Sequence, residues 1–193
     1  MYNDWVMSFW GKQKKRILVF CGVLLIGGGL YLLLLVLAPN QPISQARMEE
    51  LKNEPVGETN LIIIPKIGVE VAINEGDAGA LRNGAWHRYP ERGNPIDGGN
   101  FIVTAHRFIF SLTPGRVRDQ SYFYNIDKLA VGDNIIIHWR GKQYNYTVSE
   151  AKQVAPNAVE IEAPSKKPIL TIYACTLKGV NDGRVVVIAK PEN

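Results

Sequence analysis

The run from Ile17 to Ala38 carries no charged residue over 22 positions. At a helical rise of about 1.5 Å per residue, a helix of this length spans the roughly 30 Å hydrocarbon core of a bilayer. A cleaved signal peptide is the competing interpretation, but its apolar region is normally only about 7–15 residues long. Pro39 also directly follows Ala38, the sole plausible small-residue cleavage site. We therefore predict an uncleaved transmembrane helix over residues 17–38.

A short basic tail, residues 1–16, precedes this run and predicts its orientation. The positive-inside rule keeps such charges in the cytoplasm and exports the chain that follows the helix. We therefore expect a single-pass protein of the cell membrane, with a cytoplasmic N-terminus and an extracellular main domain. The basic residues next to the helix are Lys12, Lys14, Lys15 and Arg16.

The tail also accounts for the net charge of +4. It holds four of the 22 basic residues and, with Asp4, one of the 18 acidic residues, which leaves 18 basic against 17 acidic residues elsewhere. A nucleic-acid-binding face needs a clear excess of positive charge. The near balance of the remaining chain therefore argues against nucleic acid as a partner.

The chain after the apolar run divides into a linker and one domain. Residues 40–60 are polar, include two prolines and contain one possible short helix at 44–52. This composition predicts a linker or stalk over 39–60. Residues 61–193 then suffice for one domain with a well-buried core.

Short stretches rich in β-branched and aromatic residues, separated by turn signals, recur through this domain and predict strands. Many short strands with little helix indicate an all-β domain, and closure or partial closure into a barrel would remove its exposed edges. We predict loops at 83–99 and 108–118, and short helical turns at 77–81 and 122–129. The predicted strands are 61–64, 67–73, 101–105, 135–139, 144–154, 169–174 and 185–189.

The predicted strand at 169–174 delivers Cys175 to the point where the apolar run gives way to turn residues. Residues 178–183 predict a turn, after which Arg184 opens the last strand. Cysteine reacts as the thiolate, and nearby positive charge lowers the pKa of a thiol. The pair therefore favours a nucleophile, while the alternative is a small buried thiol beside a solvated strand end.

The apolar run also bears on cysteine pairing. Cys21 lies near the cytoplasmic end of the predicted membrane helix and Cys175 lies in the exported domain, so the two cannot pair within one molecule. Cys175 is then a free thiol in an oxidising compartment, where an unused thiol is a liability. This placement favours a functional role for Cys175.

His106 follows an apolar predicted strand directly, just as Cys175 does. An imidazole beside a thiol can share or take its proton, and a guanidinium can hold the oxyanion formed when a thiolate attacks an amide carbonyl. His106, Cys175 and Arg184 therefore predict acyl transfer through a thioester. The alternative for His106 is a hydrogen-bonded structural histidine, the role that we expect for His87 and His138.

No group of His, Cys, Asp and Glu residues has the sequence spacing of a zinc site or an EF-hand. We therefore expect no metal site and no other cofactor. The sequence leaves a requirement for calcium open.

Three stretches carry a family resemblance that covers about residues 60–190 and the anchor. They are Gly99-Asn-Phe-Ile-Val-Thr-Ala-His106-Arg, Asp127-Lys-Leu-Ala-Val-Gly-Asp133, and Thr171-Ile-Tyr-Ala-Cys175 followed nine residues later by Arg184. Together they resemble the sortases, the membrane-anchored cysteine transpeptidases of bacterial surfaces. The family signature is usually Thr-Leu-x-Thr-Cys, and here Ile172 replaces the leucine and Ala174 the second threonine.

The resemblance implies an eight-stranded β-barrel with short helices. Cys175 would attack an LPXTG-like sorting signal near the C-terminus of a surface protein, His106 would act as acid toward the leaving amine, and Arg184 would steady substrate and oxyanion. An amine from a cell-wall precursor or a pilin subunit would then resolve the thioacyl-enzyme. Some sortases carry an N-terminal lid with an Asp-Pro-aromatic motif, and no such motif stands between residues 40 and 60. We therefore expect a sortase without a lid, whose class and substrate-binding residues are unassigned.

Two alternatives accompany this interpretation. A thiol endopeptidase on the same scaffold would pass the acyl group to water. A catalytically idle, anchored β-barrel would only bind peptide or wall polymer, and the change at Ala174 is the reason to consider it.

Overall fold

The computed structural model describes residues 2–37 and 42–192, and it divides into two compact units, Met1–Ala38 and Pro39–Asn193. The first unit consists of helix α1 (Tyr2–Leu37). Within α1, the stretch Gln13–Leu34 has a mean hydropathy of 2.6 and is long and apolar enough to cross a membrane. The helix expected from the apolar run is therefore present.

The second unit contains nine strands and two α-helices among its described residues. The strands are β1 (Leu61–Ile64), β2 (Val69–Asn74), β3 (Ala85–His87), β4 (Gly93–Asn94), β5 (Gly98–Thr104), β6 (Asn134–Trp139), β7 (Lys142–Val154), β8 (Ile169–Thr176) and β9 (Gly179–Pro191). The helices are α2 (Gln45–Asn53) and α3 (Pro114–Gln120). Single 3-10 turns connect several of these elements.

Eight of the strands close into a barrel in the order β3-β2-β1-β6-β7-β9-β8-β5. Closure comes from β3, which pairs with β2 on one side and with β5 on the other. The two-residue β4 pairs only with β5 and lies outside the ring. The β2–β3 and β5–β8 pairs are parallel and the remaining pairs are antiparallel. The predicted eight-stranded barrel is confirmed.

Branched aliphatic and aromatic side chains fill the inside of the barrel. Side chains alternate between the two faces of a strand, and along β5 the residues Phe101, Val103 and the following Ala105 belong to the core. The Trp139 ring packs edge-on against Phe101 with 5.1 Å between centroids, and the His87 imidazole packs edge-on against both rings at 4.8 and 5.3 Å. Each large apolar side chain buried in this way stabilises the fold by about 1.5–3 kcal/mol.

Two segments predicted as loops contain regular structure. The segment 83–99 holds β3 and β4, and the segment 108–118 holds the first turns of α3. The start of helix α3 has the residues typical of a helix N-terminus. The Thr113 hydroxyl accepts a hydrogen bond from the Arg116 amide at 3.4 Å, and Pro114 occupies the first turn. Strand β3 has only three residues, too few for an alternating pattern to identify it.

Helix α2 lies inside the segment predicted as a linker and contacts the barrel. The Ser44 hydroxyl caps its start by accepting a hydrogen bond from the Arg47 amide at 3.2 Å. Leu51 is buried, and the Arg47 guanidinium donates to both oxygens of Glu70 on β2 at 2.7 and 3.3 Å. These contacts attach α2 to β2, while the role of residues 39–60 as a stalk stays a prediction.

Gly99 has no room for a side chain, and we predict that Gly99→Ala strongly destabilises the barrel. Its φ is +79°, and a Cβ there would lie 2.4 Å from the Arg92 carbonyl oxygen. Gly141 is a matched control, since its φ is +75° and no heavy atom lies within 4 Å of a Cβ placed there. Both variants lose about 1–2 kcal/mol for the left-handed backbone, and Gly99→Ala loses about 1–3 kcal/mol more through the clash.

Urea unfolding of the full-length protein in detergent, followed by tryptophan fluorescence, measures this difference. Equal losses of free energy in the two variants would contradict the predicted clash at Gly99.

Candidate active site

Cys175 is the seventh of the eight residues of β8 and is half-buried. The sequence predicted that the strand ends at Ala174, but it continues for one residue beyond the cysteine. β8 pairs with β9 at Cys175 itself and with β5 as far as Tyr173, so the cysteine directly follows the part of an interior strand that is paired on both sides. The thiol is therefore carried by a rigid part of the barrel.

Arg184 stands directly opposite Cys175 in the β8–β9 ladder. The sequence predicted that the second strand starts near Arg184, but β9 begins at Gly179 and first pairs with Thr176. The ladder then passes over four residues, 180–183, before Arg184 pairs with Cys175. We call these four residues the bulge.

Side-chain bonds hold the bulge and Arg184 together. The Thr176 hydroxyl donates to Asp182 Oδ2 at 2.7 Å, and Arg184 Nη1 donates to the carbonyl oxygens of Val180 at 2.8 Å and Gly183 at 3.0 Å. Among the described residues, Nε and Nη2 of Arg184 have no hydrogen-bond partner. One nitrogen of the guanidinium is thus anchored, and the edge formed by the other two is free to bind an oxygen atom of a ligand.

The chain that follows β5 places His106 at the same height along the barrel as Cys175. β5 and β8 run parallel, with Thr104 opposite Tyr173, and two further residues on each chain lead to His106 and Cys175. Successive residues of neighbouring parallel strands advance together by about 3.3 Å. The carbonyl oxygen of His106 accepts a hydrogen bond from the Phe123 amide at 3.1 Å, which holds its backbone beyond the end of the strand.

The three residues predicted from the sequence share the outer face of the barrel. Ala105 and Ala174 are buried in the core, so alternation places His106 and Cys175 on the outside. Val185 is likewise in the core, which puts Arg184 outside as well. We call His106, Cys175 and Arg184 the outer row.

Burial sets the protonation state of the imidazole in the outer row. His106 is half-buried, and loss of water around the ring lowers its pKa below the ordinary value of 6.5. The imidazole is therefore neutral at neutral pH and able to accept a proton.

The other two histidines lie away from the outer row. His87 is buried in the aromatic core, and its Nε2 lies 3.0 Å from the Gly93 carbonyl oxygen. His138 is also buried and pairs with Leu61 in the β1–β6 ladder. Both positions suit structural histidines.

Sequence reasoning missed several residues around the outer row. Asp182 was assigned to a turn, although it binds Thr176 inside the bulge. Glu162 lies between the predicted strands 144–154 and 169–174, and its carboxylate is buried against Tyr173, two residues before Cys175. The turn residues near Asp182 are visible in the sequence, but no local pattern identifies Glu162 as buried.

A family model described as the sortase domain matches residues 62–192. No curated protein matches the chain.

Several solved structures have the same fold. The Clostridium perfringens sortase D5 transpeptidase is 28% identical, with a TM-score of 0.58 over 78% of this chain and 89% of that chain. Sortase C1 from Streptococcus agalactiae is 26% identical, with a TM-score of 0.59 over 72% of this chain and 70% of that chain. Sortase C-1 from Actinomyces oris is 25% identical, with a TM-score of 0.60 over 80% of this chain and 84% of that chain.

The resemblance read from three stretches of sequence is thereby confirmed over most of the chain. The matched region begins in β1, ends one residue after β9 and includes every residue of the outer row. An eight-stranded barrel, a matching domain and these structural relatives lead to one conclusion: the chain belongs to the sortase family.

Proposed function

We propose that this protein is a membrane-anchored cysteine transpeptidase that cleaves an LPXTG-like sorting signal and transfers the acyl group to an amine. The observation that carries the proposal is the outer row, since adjacent strands of a sortase-family barrel bring a thiol, an imidazole and a guanidinium to one level. The relative from Clostridium perfringens is itself described as a transpeptidase.

In the first half-reaction, the Cys175 sulfur attacks the carbonyl carbon of the scissile peptide bond. His106 takes the thiol proton and later delivers it to the leaving amine, which departs as the C–N bond breaks. The product is a thioester between Cys175 and the new C-terminus of the surface protein. The neutral state of half-buried His106 supports its part as the proton acceptor.

Arg184 stabilises the negative oxygen that develops during this attack. Its Nη1 bonds to the bulge fix the guanidinium, and its free edge supplies donors to the oxyanion or to the substrate carbonyl. Donors that are fixed in advance stabilise a transition state without the cost of reorganising them.

In the second half-reaction, an amine attacks the thioester carbon, the C–S bond breaks, and His106 passes a proton from the amine to the Cys175 sulfur. The acceptor amine belongs to a cell-wall precursor or to a pilin subunit. In this proposal α1 anchors the enzyme with its N-terminus in the cytoplasm and the barrel outside, where surface proteins present their sorting signals.

The change from the family threonine at Ala174 does not argue against activity. Ala174 is buried in the barrel core, on the opposite face of β8 from Cys175. A hydroxyl at this position would point into the core, so its absence removes no group from the outer row. This placement supports an active enzyme over an idle barrel.

Replacement of the nucleophile tests the proposed function. We expect Cys175→Ala to reduce turnover of LPXTG peptides by more than about 10³-fold, because covalent catalysis is lost, while circular dichroism stays unchanged. Cys21→Ala is the matched control and should keep full activity. The measurement is peptide cleavage by the full-length protein in detergent, with and without an added amine such as triglycine.

The effect of the added amine distinguishes a transpeptidase from a hydrolase. Product that joins peptide and amine supports transfer, whereas cleavage that ignores the amine identifies a hydrolase. Normal turnover by Cys175→Ala would place the nucleophile elsewhere.

The pH dependence tests His106. Because burial lowers the pKa of His106, the neutral base persists below pH 6.5 and is lost only as the pH falls through this lowered value. We therefore expect the acid limb of kcat/KM to lie below pH 6.5. His106→Ala should cost about 10²–10⁴-fold in turnover. An acid limb at or above the ordinary histidine pKa of 6.5 would contradict a neutral, half-buried base.

Arg184→Lys tests the guanidinium while keeping the charge. Lysine lacks the planar array of donors, and loss of such a donor reduces kcat by about 10²–10³-fold. Arg116→Lys on the exposed face of α3 is the control and should be silent. Near-normal kcat in Arg184→Lys, with unchanged thermal unfolding, would remove Arg184 from the mechanism.

A further inference from the structure

His106 lies beyond the part of the sheet that could hold it in place. Strand β5 ends at Thr104, and its ladder with β8 ends at the pair of Thr104 and Tyr173. His106 follows two residues later, so its position depends on contacts outside the ladder. One such contact is the hydrogen bond from the Phe123 amide to the His106 carbonyl oxygen at 3.1 Å.

Arg107, the next residue along the chain, makes two more contacts with the same region. Its side chain is only 6% exposed. Nε donates to the Tyr124 carbonyl oxygen at 3.0 Å, and Nη2 forms an ion pair with Asp127 Oδ1 at 2.7 Å. We call Arg107, Tyr124 and Asp127 the clasp. A buried guanidinium is tolerated only with partners of this kind, because removal of a charge from water is costly.

Two further contacts join the same two parts of the chain. The Ile109 amide donates to the Ser121 hydroxyl oxygen at 2.9 Å. The rings of Phe108 and Tyr124 pack with 5.9 Å between their centroids. Each of the four residues 106–109 is therefore attached to the segment 121–127.

The segment 121–127 is itself held in place by the barrel. Phe123 and Ile126 are fully buried in its core, and Ser121 is also fully buried. The segment continues into a 3-10 turn, Ile126–Lys128. The core therefore positions residues 121–127, and these residues in turn position the backbone of His106.

The clasp differs from the other contacts because one guanidinium makes two bonds to the segment. An arginine side chain carries its donors in a planar fork, so it binds the carbonyl and the carboxylate at once. The Arg107–Asp127 pair also joins two of the stretches that carry the family resemblance, since one ends at Arg107 and the next begins at Asp127. Asp127 is 52% exposed, so its carboxylate is open to substitution without a loss of core packing.

We propose that the clasp is a positioning device that holds the His106 imidazole at the place from which it exchanges a proton with Cys175. This inference rests on the proposed function. A general base works only within hydrogen-bond reach of the proton that it takes. Arg107 and Asp127 act through the backbone of His106, so they govern the rate of the chemical step and leave the affinity for the peptide unchanged.

Two substitutions open the clasp. Arg107→Met keeps a buried, unbranched side chain and removes both donors, whereas Asp127→Ala removes the carboxylate at a half-exposed position. Each variant should lower kcat for LPXTG peptides about 10–10²-fold with KM unchanged, because a small displacement of a reacting group can cost about 10²-fold. The double variant should lower kcat no further than Arg107→Met alone, since both changes break the same ion pair.

Asp119→Ala is the matched control. Asp119 pairs with Arg118 at 3.5 Å and both side chains are exposed, so this substitution removes an ion pair that includes no residue of 106–109. It should leave kcat and KM unchanged. In the clasp variants, a lower melting temperature with unchanged kcat would reduce the clasp to a structural role, and a rise in KM alone would assign it to peptide binding. Either result overturns the proposal.

A spectroscopic readout separates this inference from the proposed function. The chain has three histidines, so NMR of the full-length, ¹³C-histidine-labelled protein in detergent reports three imidazoles, and His106→Ala assigns one of them. Asp127→Ala should move the His106 signal and leave those of His87 and His138 in place. This result supports the clasp even if the parent protein turns over no peptide, which would overturn only the transpeptidase. An unchanged His106 signal overturns the clasp, and so do equal shifts of all three signals, which would show a general loss of structure.

Discussion

The pairing of β8 with two different neighbours is the constraint on which the rest of the structure depends. β5 runs parallel to it and β9 antiparallel, and these two ladders bring the residues of the outer row together. Because side chains alternate, a slip of one residue would turn Cys175 into the core and Ala174 outward. Burial of Leu170 and Ile172 on the inner face opposes such a slip. The apolar pattern that folds the barrel therefore also orients the thiol.

Much of this arrangement was predictable because its signals are local. The predicted strand 61–64 coincides with β1, and the hairpin of β6 and β7 follows from alternation and its turn residues. Asp77 caps a helical turn as its side chain predicts. The residues of the outer row were also predictable as candidates, since one apolar run leads up to His106, another leads to Cys175, and Arg184 directly precedes a third at 185–189.

The remaining features depend on partners distant in sequence. β3 exists because β2 and β5 offer edges on both sides, and three residues carry too little pattern to reveal it. Turn residues in the bulge show where the chain can bend, but they do not show that pairing has already begun at Gly179. Glu162 is buried by contacts with Arg88 and Tyr173, which lie on other elements. Local sequence shows which conformation a residue prefers by itself. The structure at these positions depends instead on contacts with residues that are distant in the sequence.

Closure of the barrel has a consequence for how an extended peptide is recognised. Many proteins bind such segments by adding them as a further strand at an unpaired sheet edge. β8 offers no such edge as far as Tyr173, because β5 and β9 occupy both of its sides there. A peptide lying across this part of the outer face therefore cannot be held by main-chain pairing with β8. Its selection depends on side chains and on the connections that border the barrel surface, where substitutions can alter specificity without disturbing the ladders of the fold.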